Sequence, residues 1–292
     1  MRSSTPTSLV LLLLVLSSAQ LAGLAAAQGP SAGDQVGQSS ETAVMELDLT
    51  DGSVVYGRVD LTEPDRIVFK TLSGTTLDVE RTRIRSLRAA EGRTVAGEFQ
   101  PADPNTTRLF FGPTARSLKR GEGYVSVYEV GFPFVQVGLT DRISFGIGTP
   151  LVFGGGGNRP VWISPKVQLY EGGRFSAAVG VLHFTNIGDA SIGIVYAITT
   201  YGTPDSAISA GLGRAYARDN DDGGYATLAM IGGEHRISKR VALVTENYIW
   251  SGSGILSAGV RFFGDRLSTD LGLMKPVDAD VALPVVNFVW RF

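Results

Sequence analysis

Few residues in this sequence could carry catalytic or metal chemistry, and they lack the partners that such chemistry requires. The chain has no cysteine, which excludes disulfides and thiolate metal ligands. Its two histidines, His183 in VLHF and His235 in GGEHR, have no Ser, Asp or Glu partner in a recognisable catalytic motif. We therefore expect both to be packing or rim residues, with no catalysis, no cofactor and no metal.

Two loops resemble ligand-binding sequences without completing them. Gly154–Gly157 could suggest a phosphate loop, but no Lys-Ser/Thr pair follows. The DNDDGG stretch at 219–224 lacks the Glu at position twelve of a calcium-binding loop. Charge is nearly balanced, with 26 Lys and Arg against 28 Asp and Glu and no long basic run, so we expect no nucleic-acid partner.

The remaining candidates for a functional role are polar residues, which lie on segments where apolar residues alternate with small or polar ones. From Arg108 to Phe292, stretches of about ten residues alternate between apolar and small or polar residues, as in RISFGIGTPL, SIGIVYAITTY, ILSAGVRFF and RLSTDLGLM. In the second of these, the alternation assigns to the apolar face Ile192, Ile194, Tyr196 and Ile198. Six residues fall on the opposite, polar face: Lys166, Gln168, Glu246, Arg261, Asp270 and Asn287.

The composition of the polar face indicates which side is inside. A soluble β protein also alternates, but its outer face is rich in Lys and Glu. Here the non-apolar face is mostly Gly, Ser, Ala and Thr, in a chain with 37 Gly and 18% charged residues. This predicts a membrane barrel with the apolar face toward lipid, so that the six polar residues line or plug a narrow lumen.

Turn lengths support the same architecture. Longer and shorter turns alternate nearly throughout, as in membrane barrels with short periplasmic turns and longer external loops. Counting turns back from Phe292 predicts about twelve strands, an even number that returns both ends to the periplasm. The first strand is expected near Arg108–Ser117, and the second over Tyr124–Leu139 with a bulge at Gly131–Pro133.

The C-terminus, VVNFVWRF, resembles the ending of bacterial outer-membrane barrels. It places Phe288, Trp290 and Phe292 on one face, the last of them at the terminus. The aromatic-x-aromatic ending implies recognition by the barrel-assembly machinery, location in the outer membrane of a Gram-negative bacterium, and contact with its lipids. The usual Gly and upstream polar residue are replaced by Asn287 and Val285.

The N-terminal part predicts export and a separate small domain. Residues 1–27 read as a signal peptide, with an apolar run at Leu9–Leu16 and small residues at Ala25 and Ala27; a membrane-anchor helix is the alternative. Residues 28–40 predict a flexible tether.

Residues 41–90 predict about five short strands, with a turn at Asp51-Gly52. The DGSVVYGRV stretch resembles hairpins of small Sm-like or SH3-like barrels. Residues 91–106 predict a linker, and the barrel is expected over 107–292.

The expected function is a narrow channel or a structural anchor for a periplasmic β domain, which would have its own periplasmic partner. Two alternatives stay open. A soluble periplasmic barrel could hold a lipid or small molecule in an apolar lumen, and an outer-membrane enzyme could carry its site at the rim.

Overall fold

The computed structural model describes residues 44–90, 92–95, 98–152, 159–187, 190–218 and 223–292. The expected signal peptide and tether lie outside these residues. The chain divides into two compact units, the first ending at Ala102 and the second continuing from Asp103 to Phe292. None of the described residues forms a helix long and apolar enough to cross a membrane.

The first unit contains the expected five strands. They pair antiparallel in the order β4-β3-β2-β1-β5, and a short 3-10 turn at Arg81–Arg83 precedes β5. Its core contains Leu47 and Phe69, both fully buried. The strands are β1 Met45–Leu49, β2 Val54–Thr62, β3 Arg66–Thr71, β4 Thr76–Glu80 and β5 Ile84–Ala89.

The turn at Asp51-Gly52 forms as the sequence predicts. Gly52 has a φ of 91°, a left-handed conformation that glycine adopts without steric cost. The backbone N–H of Ser53 donates to Asp51 Oδ1 at 2.9 Å, and this bond holds the pKa of Asp51 below its usual range.

The stretch expected to be a linker, 91–106, is more ordered than its composition suggested. Its described residues contain a separate two-stranded antiparallel sheet, β6 (Gly92–Val95) paired with β7 (Glu98–Pro101). The Phe99 ring packs against Tyr56, with ring centroids 5.4 Å apart. Asp103, at the end of this stretch, already belongs to the second unit.

The second unit is a closed antiparallel barrel of twelve strands, β8 to β19, which confirms the predicted fold class. Each strand pairs with its neighbours in sequence, and β19 pairs with β8 to close the ring. The strands are β8 Gly123–Tyr128, β9 Phe132–Gly138, β10 Ile143–Gly148, β11 Val161–Gly172, β12 Phe175–Ile187, β13 Ala190–Thr203, β14 Ser206–Arg218, β15 Gly223–Ser238, β16 Val241–Trp250, β17 Ser253–Phe263, β18 Leu267–Pro276 and β19 Leu283–Arg291.

Apolar side chains cover the outside of the barrel. On β18, Leu271 is 45% exposed while its neighbour Asp270 is fully buried inside. The same contrast recurs around the ring, with Ile208 and Leu212 more than 60% exposed on β14. An apolar band facing outward and polar groups facing inward is the arrangement of a transmembrane barrel.

Two strand predictions near the start of the barrel are wrong, although the count of twelve holds. Residues 108–117 are not a strand of the wall but lie inside the barrel. The expected second strand, 124–139, is two strands joined by a tight turn in which Gly131 N donates to Tyr128 O at 3.1 Å. Its two central residues, Glu129 and Val130, have φ of 47° and 59°. Neither is the glycine that usually marks such positions in a sequence.

The facing predicted for β13 is also wrong. Ile192 and Ile198 point into the barrel and are 3% exposed, whereas Val195 points outward and is 51% exposed. The prediction assumed that the apolar face of every strand meets lipid. On β13 the outward face is carried instead by Gly193, Val195 and Ala197, because the interior at this place is itself apolar.

The C-terminal strand is held at its end. Gly123 and Phe292 exchange two backbone hydrogen bonds, and Arg291 pairs with Glu122. Phe288, Trp290 and Phe292 all point outward, each more than 40% exposed. The C-terminal strand therefore has a hydrogen-bonded partner up to its last residue, because β8 pairs with it. Recognition of this ending by the assembly machinery stays a prediction.

The inside-out arrangement can be tested on adjacent residues of β18. Leu271→Arg places a charge in hydrocarbon and should cost about 2–4 kcal/mol near the midplane. A Leu271→Cys variant, in a chain without native cysteine, should resist water-soluble thiol reagents. A bimane label on that cysteine should be quenched by lipid-borne probes. Protection of the label from both aqueous and lipid quenchers would contradict the outward assignment of Leu271.

Candidate functional site

The interior of the barrel is occupied by the chain that precedes β8. Residues 103–118 form a finger, which we call the plug. Its two arms are joined by hydrogen bonds from Leu109 N to Gly112 O (2.8 Å) and from Thr114 N to Thr107 O (3.0 Å). Leu109 and Phe110, at the tip, are buried. The sequence LFFGP explains why this segment is not a wall strand, since its apolar residues run consecutively and end in Gly-Pro.

Both arms of the plug lie at the end of the barrel that carries the short turns. On the first arm, Asn105 Nδ2 donates to Ser268 Oγ at 2.6 Å, beside the first residue of β18. The second arm leads to Lys119, whose ammonium lies 3.2 Å from Glu171 near the β11–β12 turn. The tip reaches Asn287, whose Nδ2 donates to Phe110 O at 3.1 Å.

Two arginines share one aspartate at the centre of the lumen. Asp270 accepts from Arg261 Nε at 2.7 Å and from Arg108 Nη1 at 2.8 Å. Arg108 belongs to the plug, whereas Arg261 and Asp270 are paired across β17 and β18. All three side chains are at most 2% exposed. The plug is therefore joined to the wall by a buried ion pair.

Arg261 also binds the first arm of the plug. Its Nη1 lies 3.1 Å from Asp103 Oδ2 and donates to Asn105 O at 3.1 Å, while Nη2 donates to Leu109 O at 2.6 Å. A single wall arginine thus contacts plug residues from the base of the finger to its tip. The planar guanidinium, with five donors in a fixed geometry, suits this role better than a lysine ammonium.

Other wall residues complete the contacts with the plug backbone. Glu246 Oε2 accepts from the N–H groups of Phe111 and Gly112, each at 3.0 Å. Lys166 Nζ donates to the carbonyls of Thr114 (3.1 Å) and Arg116 (2.6 Å) on the returning arm. The wall therefore offers a carboxylate to the donors of the tip and a cation to the carbonyls of the arm.

A second buried ion pair holds the second arm of the plug. Arg116 Nη1 lies 2.5 Å from Glu234 Oε1, and Arg116 Nη2 donates to Thr203 O at 2.6 Å. Beside this pair, Gln168 Nε2 donates to Ala115 O at 3.1 Å. The second arm is thus bound to wall strands β11, β13 and β15. Glu234 Oε2 also lies 3.6 Å from Arg261 Nη1, so this pair adjoins the Asp270 cluster.

All six residues assigned to the inner face by alternation point into the barrel and are at most 2% exposed. Each of them contacts the plug or its ion-pair network. The sequence reasoning missed the plug's own charged residues Asp103, Arg108 and Arg116, because residues 91–106 read as linker and 108–117 as a strand. It also missed Glu234, although Glu234 shares the alternation of the inward Gly232 and Arg236.

The two histidines lie apart from the plug. His183 Nδ1 is 2.8 Å from the Tyr216 hydroxyl, and the strand alternation places both on the outer surface. His235 Nδ1 is 3.1 Å from Ser206 Oγ at an exposed position. Within the described ranges, no group of three or more His, Asp or Glu side chains is placed to hold a metal ion.

The sequence matches no protein-family model and no curated protein. Similar solved structures are porins. The KdgM porin in complex with disordered oligogalacturonate has 7% identity and a TM-score of 0.46, over 59% of this chain and 98% of its own. The NanC porin has 8% identity and a TM-score of 0.38, over 58% and 97%. A loop-deletion mutant of OmpT from Vibrio cholerae has 12% identity and a TM-score of 0.36, over 85% and 96%.

The membrane assignment follows from the barrel itself, which is closed, has an even number of strands and carries apolar side chains on its outside. A closed barrel has no sheet edge, so every wall strand is paired within the membrane. The chain is an outer-membrane β-barrel.

Because Asp270 pairs with two buried arginines, we expect two charge-removing substitutions to differ greatly in their effect on the free energy of unfolding. Asp270→Asn removes the carboxylate shared by two buried arginines and should destabilise the folded barrel by about 3–5 kcal/mol. The matched control, Arg240→Ala, breaks an exposed pair with Asp265 and should cost at most about 1 kcal/mol. Urea unfolding in micelles, followed by tryptophan emission, measures both. Equal midpoints for the two variants would contradict the structural role of Asp270.

Proposed function

We propose that this outer-membrane barrel is closed at rest by its plug and anchors the N-terminal β domain on the periplasmic side. The observation that carries the proposal is the bonding of plug residue Arg108 to Asp270 in the wall, at 2.8 Å and out of contact with water. A finger held by buried ion pairs fills the lumen rather than leaving a continuous aqueous path.

The position of the plug arms supports the anchoring role. Short turns mark the periplasmic end of membrane barrels, and the plug enters at that end. Ala102, the last residue of the first unit, is joined to Asp103 by one peptide bond. The N-terminal β domain then stays in the periplasm. Tension on that domain acts first on Asp103 and Asn105, which the wall residues Arg261 and Ser268 hold.

The proposal names three kinds of contact. Outer-membrane lipids cover the apolar band, the barrel-assembly machinery reads the C-terminal Phe288, Trp290 and Phe292, and a periplasmic partner binds the N-terminal β domain. We propose no catalytic activity, because the polar groups brought together inside the barrel are engaged with the plug. Conduction then requires the plug to leave the lumen.

Conductance tests the closed state. Purified protein in planar bilayers should give no stepwise current, because the plug fills the lumen. Deletion of residues 105–116 should open the barrel and produce steps smaller than those of sixteen-stranded porins, since a barrel of twelve strands is narrower.

The Arg240→Ala variant serves as the silent control, and a cold-gel mobility shift confirms that each variant is folded. If the intact protein conducts with the same step size as the deletion, the plug does not close the lumen. If the folded deletion variant is also silent, the anchor remains but the barrel contains no channel.

A further inference from the structure

The wall of the barrel receives plug residue Arg108 with groups that recognise a guanidinium. Arg108 Nη1 donates to Asp270 Oδ2 at 2.8 Å, and Arg108 Cζ lies 5.7 Å from the centroid of the Tyr128 ring. The same nitrogen donates to the plug's own carbonyls at Leu109 and Phe110, at 2.7 and 2.8 Å. A carboxylate and an aromatic face are the groups that proteins use to bind a guanidinium. We call Asp270 and Tyr128, which both belong to the wall, the cation site.

The second arginine of the plug is received in a similar way. Arg116 Nη1 lies 2.5 Å from Glu234 Oε1, and Arg116 Nη2 donates to Thr203 O at 2.6 Å. Glu234 and Asp270 both adjoin the wall residue Arg261, at 3.6 and 2.7 Å. Two neighbouring wall carboxylates therefore each bind one guanidinium of the plug.

The charges of the wall and of the plug are opposite in sum. Among the described residues, the charged wall side chains that contact the plug are three acidic and two basic ones: Glu234, Glu246, Asp270, Lys166 and Arg261. The plug contributes the acidic Asp103 against the basic Arg108 and Arg116. Departure of the plug would therefore leave an excess of negative charge on the wall of the lumen.

The plug arginine does not use all of its donors. Arg108 Nε and Nη2 are buried and have no hydrogen-bond partner in the part of the chain that the structure describes. A buried donor without a partner costs free energy. The backbone of the plug fixes the direction from which Arg108 approaches Asp270, whereas a free guanidinium can rotate to use more of its donors. A free cation can therefore compete with Arg108 for the same carboxylate.

We propose that the cation site binds a solute with a guanidinium group once the plug has left the lumen, and that the opened barrel passes cations in preference to anions. The inference rests on the proposed function, because it requires the plug to leave. At rest, Arg108 occupies the place of the solute. In the opened lumen, the excess of wall carboxylates raises the local concentration of cations.

Chemical rescue tests the cation site in the full chain. Arg108→Ala removes the guanidinium and lowers the urea midpoint. Methylguanidinium should restore this midpoint saturably, because it can take the place of the missing group beside Asp270. Methylammonium has the same charge without the planar fork, and its half-restoring concentration should be at least fivefold higher.

Two further variants assign the rescue to the cation site. Arg108→Ala with Asp270→Asn should not respond to methylguanidinium. Arg108→Ala with Tyr128→Leu, which keeps the carboxylate, should need at least threefold more of it. Arg240→Ala keeps Arg108 in place and should not be stabilised. A cold-gel mobility shift confirms that each variant is folded before the titration.

Reversal potentials test the preference for cations. The variant lacking residues 105–116, in planar bilayers under a tenfold gradient of potassium chloride, should give a reversal potential of the sign that cation current requires. Methylguanidinium should block its steps at a concentration at least fivefold below that of methylammonium. Asp270→Asn in the same deletion variant should raise the half-blocking concentration at least threefold and move the reversal potential toward zero.

The outcomes separate this proposal from the proposed function. Absence of rescue in Arg108→Ala, or equal rescue by methylammonium, would overturn the guanidinium site. Anion-selective steps would overturn the preference for cations and leave the channel of the proposed function intact. A folded deletion variant without steps would contradict that channel and with it the passage of cations, whereas rescue decides the site independently of conductance.

Discussion

The structure depends on one constraint, which is that each charge buried inside the barrel must have an opposite charge or hydrogen-bonding groups beside it. Arg261 and Asp270 face the lumen from adjacent strands, and Arg108 of the plug completes their cluster. A buried charge that loses its partner is costly. The wall and the plug are therefore interdependent: without residues 103–118, Lys166 and Glu246 would lose the backbone groups that now satisfy them.

The same constraint divides the interior. Charged residues gather where the plug arms enter, and apolar residues gather beyond the tip, where no backbone of the plug is available to pair with a charge. The half of the barrel next to the short turns holds the segment that leads to the N-terminal β domain.

Much of this fold could be predicted because a lipid-facing wall imposes strict alternation. On β18 the polar Asp270 alternates with the apolar Leu271. The same alternation assigned the six polar residues to the inner face. The plug could not be predicted, because a segment inside a lumen is constrained by partners distant in sequence and has no period of its own. The β8–β9 turn was missed because Glu129 and Val130 adopt left-handed backbone without Gly or Asn. The facing of β13 was predicted wrongly because the interior beside this strand is apolar, so its larger apolar residues point inward and not toward lipid.

The most direct test of the plug is a cross-link between it and the wall. Asn105 and Ser268 touch at 2.6 Å and are 163 residues apart in sequence, so Asn105→Cys with Ser268→Cys should form a disulfide on mild oxidation of outer membranes. The closed loop should migrate faster on a non-reducing denaturing gel, while Asn105→Cys with the outward Leu271→Cys should not cross-link. Failure of the first pair, with the cysteine at position 105 open to a bulky hydrophilic maleimide, would contradict a plug inside the lumen.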